Sequence, residues 1–364
     1  MGLEKVFESI KNLKRTEKIF FISIIISSFI IPLYFSFYLI PQTLFSIGVG
    51  IITIIIAIIY FLNFASDESK WLQREICMFI LMFILIFHLP TLYFGSSRIS
   101  HSLPLKDNIV IRGDKFFLGS FFPLGQLSLY LDTNNSIGPH TKIGSLINNF
   151  LQIFYSLYYI IPYIFIYILC YSNCIVETVY RYNNNGNKSK KYNKHWSELF
   201  FIFSVYIFTY SLVFIINTII PASSPRLYLQ NKYIHYLNLS GISKFFNRIF
   251  KDNGSANSFP SGHVAESLCI SIALFGMKRY ISGSIAFIFS FLIALATLFL
   301  RYHYFCDVLC AILISIVSFI IPYYVGFKNE RIENENEYTL NVKDDNLEKI
   351  PYLPVFEEDD DTDA

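Results

Sequence analysis

The chain has 364 residues, of which 54% are hydrophobic, 18% aromatic and only 15% charged. Soluble domains carry about 25% charged residues, so this composition excludes an ordinary soluble protein and a disordered one. The formal net charge of +2 favours no charged partner, and we expect no nucleic-acid binding. The sequence therefore predicts an integral membrane protein.

Eight apolar stretches are long enough to cross a bilayer, which requires about 20 mostly apolar residues per helix. They lie at about 19–40, 43–64, 76–95, 150–171, 199–220, 262–278, 281–300 and 306–326. We predict an all-α fold with about eight transmembrane helices. The first stretch is too long for a signal-peptide core, so we interpret it as a retained helix.

Basic residues indicate the orientation of these helices. Lys and Arg cluster before the first predicted span, between the second and third, and between the fourth and fifth, and such clusters stay in the cytoplasm. The loops at about 96–149 and 221–260 and the junction at 301–305 then face the lumen or the exterior. A polar run at 183–194 is predicted to be a solvated loop. The predicted regions are a cytoplasmic segment at 1–18, a polytopic membrane domain at 19–326, and an acidic, disordered cytoplasmic tail at 327–364.

Other polar side chains receive simpler interpretations. The six cysteines have no paired zinc-type spacing, so we expect neither a disulfide framework nor a metal site. Five histidines lack an acidic partner at motif spacing and are interpreted as interfacial or loop residues: His88, His101, His140, His195 and His235. Glu266 lies inside a predicted span, where it either faces a polar cavity or snorkels toward the surface.

The first motif with chemical content is Ser261-Gly262-His263, which directly follows Pro260. Exposed amides at a helix N-terminus bind anions such as phosphate. Gly262 permits close approach of the backbone, Ser261 adds a hydroxyl donor, and His263 is able to protonate a leaving oxygen. The alternative is an ordinary capped helix start with an interfacial histidine.

The second motif is His303 with Asp307, spaced i to i+4. On a helix this spacing brings the carboxylate beside the imidazole, where it fixes the tautomer and leaves the other nitrogen free as a nucleophile. The alternative is a dipole-favouring Asp near a surface His. A helix over 261–277, a turn at 278–280 and a return helix over 281–300 place both motifs on one membrane face.

Together these motifs resemble the type 2 phosphatidic acid phosphatase superfamily, whose second and third motifs contain Ser-Gly-His and a His followed four residues later by Asp. The chain departs from the phosphatase pattern at two points. Ala296-Thr297 stands where the third phosphatase motif has Ser-Arg, and the first motif, a Lys followed at a distance by Arg-Pro, is absent.

Three further stretches are similar to the inositol phosphorylceramide synthase-like branch of that superfamily. They are the proline-rich segment from Pro221 to Tyr228, the third motif written His-Tyr-x-x-Asp at 303–307, and the Asp-x-x-x-x-Gly stretch from Asp114 to Gly119. The resemblance covers about 105–325 and implies a six-helix catalytic core over that range.

The resemblance implies an enzyme that transfers inositol phosphate from phosphatidylinositol to ceramide and releases diacylglycerol. His303 would attack phosphorus, His263 would protonate the departing oxygen, and Asp307 would hold His303 in register. The expected phosphate-binding groups are the amides at Ser261 and Gly262, the Arg226 side chain and, unless it snorkels instead, the Arg301 side chain. This scheme requires no metal and no cofactor.

Two alternatives remain open at this point. A lipid phosphate phosphatase acting on phosphatidic acid or sphingoid phosphates would use water as the acceptor. A lipid-binding or transport protein would retain a dead catalytic core. A lumenal site in a sphingolipid synthase implies the Golgi or another endomembrane, while the sequence predicts no oligomeric state.

Overall fold

The computed structural model describes residues 13–37, 41–63, 71–119, 121–122, 125–158, 189–249, 256–330 and 332. These residues are almost entirely helical, with an isolated parallel bridge between Ala222 and Asn257. Most of the predicted acidic tail, the predicted cytoplasmic segment up to residue 12, and the second half of the predicted fourth span lie outside the described residues.

The helices are labelled here in chain order over the described ranges. They are α1 (Arg15–Ser36, with a π-helical turn at Ile26–Ile30), α2 (Pro41–Asn63), α3 (Trp71–Ser102), α4 (Asp107–Leu118), α5 (Leu127–Thr133), α6 (Lys142–Leu157), α7 (Ser189–Ile219), α8 (Pro225–Tyr228), α9 (Gly241–Ile249), α10 (Gly262–Gly276), α11 (Tyr280–Phe299) and α12 (Phe305–Ile321, continued by a π-helical turn at Pro322–Phe327).

Four helices within the described ranges are long and apolar enough to cross a membrane. They are Arg15–Ser36, Ser197–Ile219, Tyr280–Phe299 and Phe305–Glu330. An all-helical protein with several apolar helices is therefore confirmed, whereas the total of eight spans stays a prediction. Helix α10 has 15 residues and is about 22 Å long, shorter than a bilayer core of about 30 Å.

Two predicted boundaries are wrong. Helix α7 begins at Ser189, so residues 189–194 of the predicted loop are helical, because Lys is a good helix former and a polar turn extends a helix beyond the bilayer. Residues 327–330, assigned to the disordered tail, continue α12. The carboxylate of Glu330 accepts hydrogen bonds from the amide and hydroxyl of Thr16, which fastens the end of α12 to the start of α1.

Helices α10 and α11 form the expected hairpin, with boundaries within a residue or two of the prediction. Lys278 makes the turn with φ of 60°. The two helices pack closely because Ser271 Oγ donates to the Gly283 carbonyl at 3.0 Å, and a Cβ at Gly283 would lie 2.8 Å from the Phe275 ring. Helix α10 also packs against α7 and α12, so it occupies the centre of the helical bundle.

Three loops converge at one end of this bundle. The amide of Ala222 donates to the Ala256 carbonyl at 3.1 Å, and the Ser258 amide donates to the Ala222 carbonyl at 2.9 Å. The Arg226 amide donates to the Arg301 carbonyl at 2.9 Å. Backbone bonds therefore join the loops before α8, before α10 and before α12, and the two histidine motifs lie in the last two.

Candidate active site

His263 and His303 lie side by side where these loops meet. Their ring centroids are 5.9 Å apart, with an angle of 58° between the ring planes. Forty residues separate them in sequence, and the α10–α11 hairpin returns the chain to the same end of the bundle. The two rings are thus near neighbours, while the catalytic roles of both residues stay predictions.

The tautomer of His303 follows from its hydrogen bonds. Its Nδ1 lies 2.8 Å from the Ser258 carbonyl oxygen and 3.2 Å from Oδ2 of Asp307. A carbonyl only accepts, so Nδ1 carries the proton and donates. The other nitrogen, Nε2, then keeps its lone pair. The Ser258 carbonyl therefore fixes which ring nitrogen of His303 donates.

Asp307 supports this arrangement from a fully buried position. Its Oδ2 accepts from the Ser258 hydroxyl at 2.6 Å and from the Tyr304 amide at 2.9 Å. The expected contact with His303 is present, but the expected helical geometry is wrong. Helix α12 begins at Phe305, so His303 lies in the preceding turn, and Asp307 reaches back to it from the first turn of the helix.

The start of α10 also differs from expectation. Ser261 is the N-cap and its Oγ accepts from the Val264 amide at 3.5 Å, but the Ser261 amide donates to the Asp307 carbonyl at 3.2 Å. That amide is therefore engaged within the protein. Gly262, whose amide belongs to the first turn of the helix and has no intrahelical acceptor, is the better-placed anion donor of the two.

Aromatic rings surround His263. The Tyr155 ring stacks on it at 4.6 Å between centroids, and the Tyr158 ring lies at 4.2 Å. Tyr155 in turn stacks on Tyr302 at 4.1 Å with 9° between planes. The sequence does not indicate these residues, because no motif surrounds Tyr155 or Tyr158.

Arg226 reaches this aromatic group from α8. Its Nη1 donates to Asn247 Oδ1 at 2.9 Å and to the Tyr302 hydroxyl oxygen at 3.2 Å, and the guanidinium lies 5.5 Å from the Tyr302 ring centroid. The Tyr302 hydroxyl also lies 3.3 Å from Gln152 Oε1. Asn247 on α9 and Tyr302 thus hold the half-buried Arg226 guanidinium, next to the tyrosine that precedes His303.

Arg301 has a different set of contacts. It adopts φ of 64° in the turn before His303, and its side chain is 6% exposed. Its Nη2 donates to Asp132 Oδ1 at 2.7 Å, Nη1 donates to the His235 carbonyl at 3.0 Å, and the guanidinium lies over the Tyr233 ring at 3.9 Å. This buried ion pair is neither the snorkelling nor the phosphate contact that the sequence suggested.

Helix α4 contributes two buried acids. Asp107, Val110, Asp114 and Leu118 recur at helical spacing on its buried face. Asp114 accepts from the Cys306 amide at 2.7 Å and from the Phe305 amide at 3.4 Å, which caps the N-terminus of α12 from another helix. Burial raises the pKa of Asp114 to about 7.

Three of the histidines interpreted above as interfacial or loop residues, namely His88, His140 and His235, contact other residues of the protein. His88 Nε2 lies 3.1 Å from the Ser27 carbonyl between helices, and the His140 and His235 rings stack at 4.0 Å. The side chain of His195 and the cysteines Cys170 and Cys174 lie outside the described residues. In the part of the chain with described side chains, the other four cysteines are free thiols, and no group of three His, Cys, Asp or Glu side chains has a metal-binding arrangement.

Comparison with known proteins supports the resemblance of these motifs to the type 2 phosphatidic acid phosphatase (PAP2) superfamily. Residues 192–321 match the family model described as the PAP2 superfamily. A PA-phosphatase related-family protein of Dictyostelium discoideum is 32% identical over 227 residues, which cover 60% of this chain and 39% of that protein. The chain thus matches about two-fifths of that relative's length, and no solved structure gives a significant match. The region that resembles the PAP2 superfamily contains both site histidines and Asp307.

Proposed function

We propose that this chain is a membrane phosphotransferase that moves a phosphorylated headgroup, inositol phosphate, from phosphatidylinositol to ceramide. The observation that carries the proposal is the bond from His303 Nδ1 to the Ser258 carbonyl at 2.8 Å, which leaves Nε2 available as a nucleophile on a ring that neighbours a second histidine. The PAP2 superfamily match over 192–321 supports chemistry on lipid phosphates.

In the first half-reaction, His303 Nε2 attacks the phosphorus of the donor lipid. A P–N bond forms, and the P–O bond to diacylglycerol breaks. His263 enters this step protonated and gives its proton to the departing diacylglycerol oxygen. The product is a phosphohistidine that carries the inositol phosphate, with diacylglycerol released as a neutral alcohol.

In the second half-reaction, the ceramide hydroxyl attacks the same phosphorus. His263, now neutral, accepts the hydroxyl proton as the P–O bond forms. The P–N bond breaks and returns the electron pair to His303 Nε2. The cycle is closed, because His263 regains the proton that it gave in the first half.

The negative charge of the phosphoryl oxygens requires hydrogen-bond donors or cations at this end of the bundle. The Gly262 amide at the start of α10 and the Arg226 guanidinium fit this role, because helix N-termini and Arg both stabilise phosphate. Losing one such donor commonly costs about 10²- to 10³-fold in rate. The roles of Ser261 and Arg301 as direct phosphate ligands receive less support, since the Ser261 amide and the Arg301 side chain are engaged elsewhere.

Transfer to a lipid, rather than to water, is supported by the departures from the phosphatase pattern. At the position where phosphatases have Ser-Arg, Ala296 and Thr297 are buried, and the Thr297 carbonyl accepts from the His303 amide at 3.1 Å. That position therefore contributes backbone geometry and no cation.

A lipid phosphate phosphatase is the second candidate, favoured by the name of the Dictyostelium discoideum relative. It would use the same first half-reaction and water in the second. For either enzyme we propose about eight spans, a six-helix core, cytoplasmic chain ends and a lumenal site in the Golgi or another endomembrane. A non-catalytic lipid carrier is the third candidate.

One assay separates these candidates. Purified protein in mixed micelles is given fluorescent ceramide with and without phosphatidylinositol, beside the His303→Ala variant and a phosphatidic acid phosphate-release assay. A new anionic ceramide product that requires phosphatidylinositol and is lost in the variant is the expected result. Free phosphate with ceramide unchanged would identify a phosphatase, and lipid binding that survives His303→Ala without turnover would identify a carrier.

A further inference from the structure

Glu266 is a buried carboxyl group one helical turn after His263 on α10, the helix at the centre of the bundle. It follows His263 by three residues on α10, which puts the two side chains on one face of the helix, and it is 2% exposed. Burying a carboxyl group among apolar helices is costly, and an ionisable residue at such depth is by default a candidate for function. The two half-reactions described above do not use it.

The partner of Glu266 is the residue that covers His263. The Tyr158 hydroxyl donates to Oε2 of Glu266, and the Tyr158 ring lies 4.2 Å from the His263 ring. Tyr158 stands at the C-terminal end of α6, so this hydrogen bond joins α6 to α10. The Tyr210 hydroxyl, 3.4 Å from that of Tyr158, connects the pair to α7.

The carboxyl group also points toward the start of α10. Its Oε1 lies 3.3 Å from the position where a Cβ at Gly262 would stand, so Gly262 leaves room for it. Glu266 thus extends along the helix from its own turn to the turn that presents Gly262 and His263. Tyr158, Glu266 and His263 form a closed group in which each member contacts the next or shares its helix face.

We propose that Glu266 and Tyr158 are positioning residues that hold the His263 ring at the angle from which it passes a proton to the departing lipid oxygen. This inference rests on the proposed function, in which His263 is the acid and base. Neither residue exchanges a proton with substrate. Glu266 anchors the phenol, and the phenol restrains the imidazole by ring contact.

The test compares Glu266→Leu, Glu266→Gln and Tyr158→Phe with a matched control, Ser271→Ala. Ser271 is a buried hydroxyl on the same helix, bonded to a backbone carbonyl of α11, so it reports the cost of losing a polar contact away from the site. Glu266→Leu and Tyr158→Phe are expected to lower kcat by about 10- to 100-fold, below the full effect of a general acid, with KM unchanged. Glu266→Gln keeps an acceptor oxygen for Tyr158 and is expected to retain most of the rate.

Two readouts distinguish positioning from a structural role. A substrate whose leaving group is a nitrophenolate departs without a proton, so the kcat defect of Tyr158→Phe should shrink several-fold on that substrate. The double variant Glu266→Leu with Tyr158→Phe should be no slower than the slower single variant, because both break one hydrogen bond. Ser271→Ala should affect both substrates equally and only slightly.

The proposal is overturned if Tyr158→Phe loses the same factor on both substrates, if the two single defects multiply in the double variant, or if neither variant changes kcat. Tyr158→Phe removes a single oxygen, so it remains decisive when Glu266→Leu does not fold. An unmodified protein that turns over no lipid phosphate would overturn the proposed function instead, which keeps the two failures distinct.

Discussion

The two histidines are held in different ways. His303 Nδ1 donates to a backbone carbonyl and lies beside a buried carboxylate, whereas the rings of Tyr155 and Tyr158 pack against His263. A hydrogen bond to a carbonyl selects one tautomer, as a nucleophile requires. Contact with flanking rings restrains the plane of an imidazole. This difference fits the separate roles proposed for the two residues.

The largest expected effect comes from removing each histidine in turn. His303→Ala should lower turnover by on the order of 10⁴-fold or more with any leaving group, because no nucleophile remains. His263→Ala should lose about 10²- to 10⁴-fold on a lipid donor and clearly less on a nitrophenyl ester. Rates on both substrates measure this, with His101→Ala as a control at an exposed histidine. Equal dependence of the two variants on the leaving group would contradict the assignment.

The next largest effect on kcat is expected from substitutions of Asp307 and Ser258, which contact His303. Asp307→Asn should lower kcat by about 10²- to 10³-fold, since the charge that stabilises the phosphorylated ring is lost. Ser258→Ala should lose about tenfold or less, because the Ser258 carbonyl remains to fix the tautomer. Steady-state kinetics with a thermal unfolding curve for each variant checks the ranking. A Ser258→Ala defect as large as that of Asp307→Asn would show that the hydroxyl, rather than the carbonyl, sets the tautomer.

A smaller effect is expected on stability as pH changes. Burial raises the pKa of Asp114 to about 7, so the folded state binds a proton that the unfolded state releases near pH 4. The stabilisation is therefore complete below about pH 4 and is lost as pH rises toward about 7. Asp114→Asn keeps an oxygen for the Cys306 amide and removes the titration, so the decline of Tm over this range should flatten. An unchanged slope would contradict the prediction.

The smallest expected effect is that of a chelator. The phosphate charge is met by the Arg226 guanidinium and the Gly262 amide in the proposed scheme, so EDTA should leave the transfer rate unchanged within error. The same assay with added magnesium is the control for slow metal loss. A strict magnesium requirement would show that the scheme lacks a component.

The sequence by itself determined the membrane class and the bounds of the α10–α11 hairpin, and it predicted that His263 and His303 lie at one end of the bundle. These are local properties, because apolar length predicts a spanning helix and the two histidine motifs are each contained in a short segment. The motifs also sufficed for the resemblance to the PAP2 superfamily, which the match over 192–321 supports.

Only the tertiary structure decided how these residues are supported. Tyr158 meets Glu266 across 108 residues, Asp132 meets Arg301 across 169, and Asp114 caps α12 across 192. It also decided that His303 lies before helix α12. The Ser258 carbonyl therefore shares with Asp307 the task of fixing the His303 tautomer. Such contacts depend on how helices pack, and packing is selected by the combined burial of many side chains, which no local pattern of residues records.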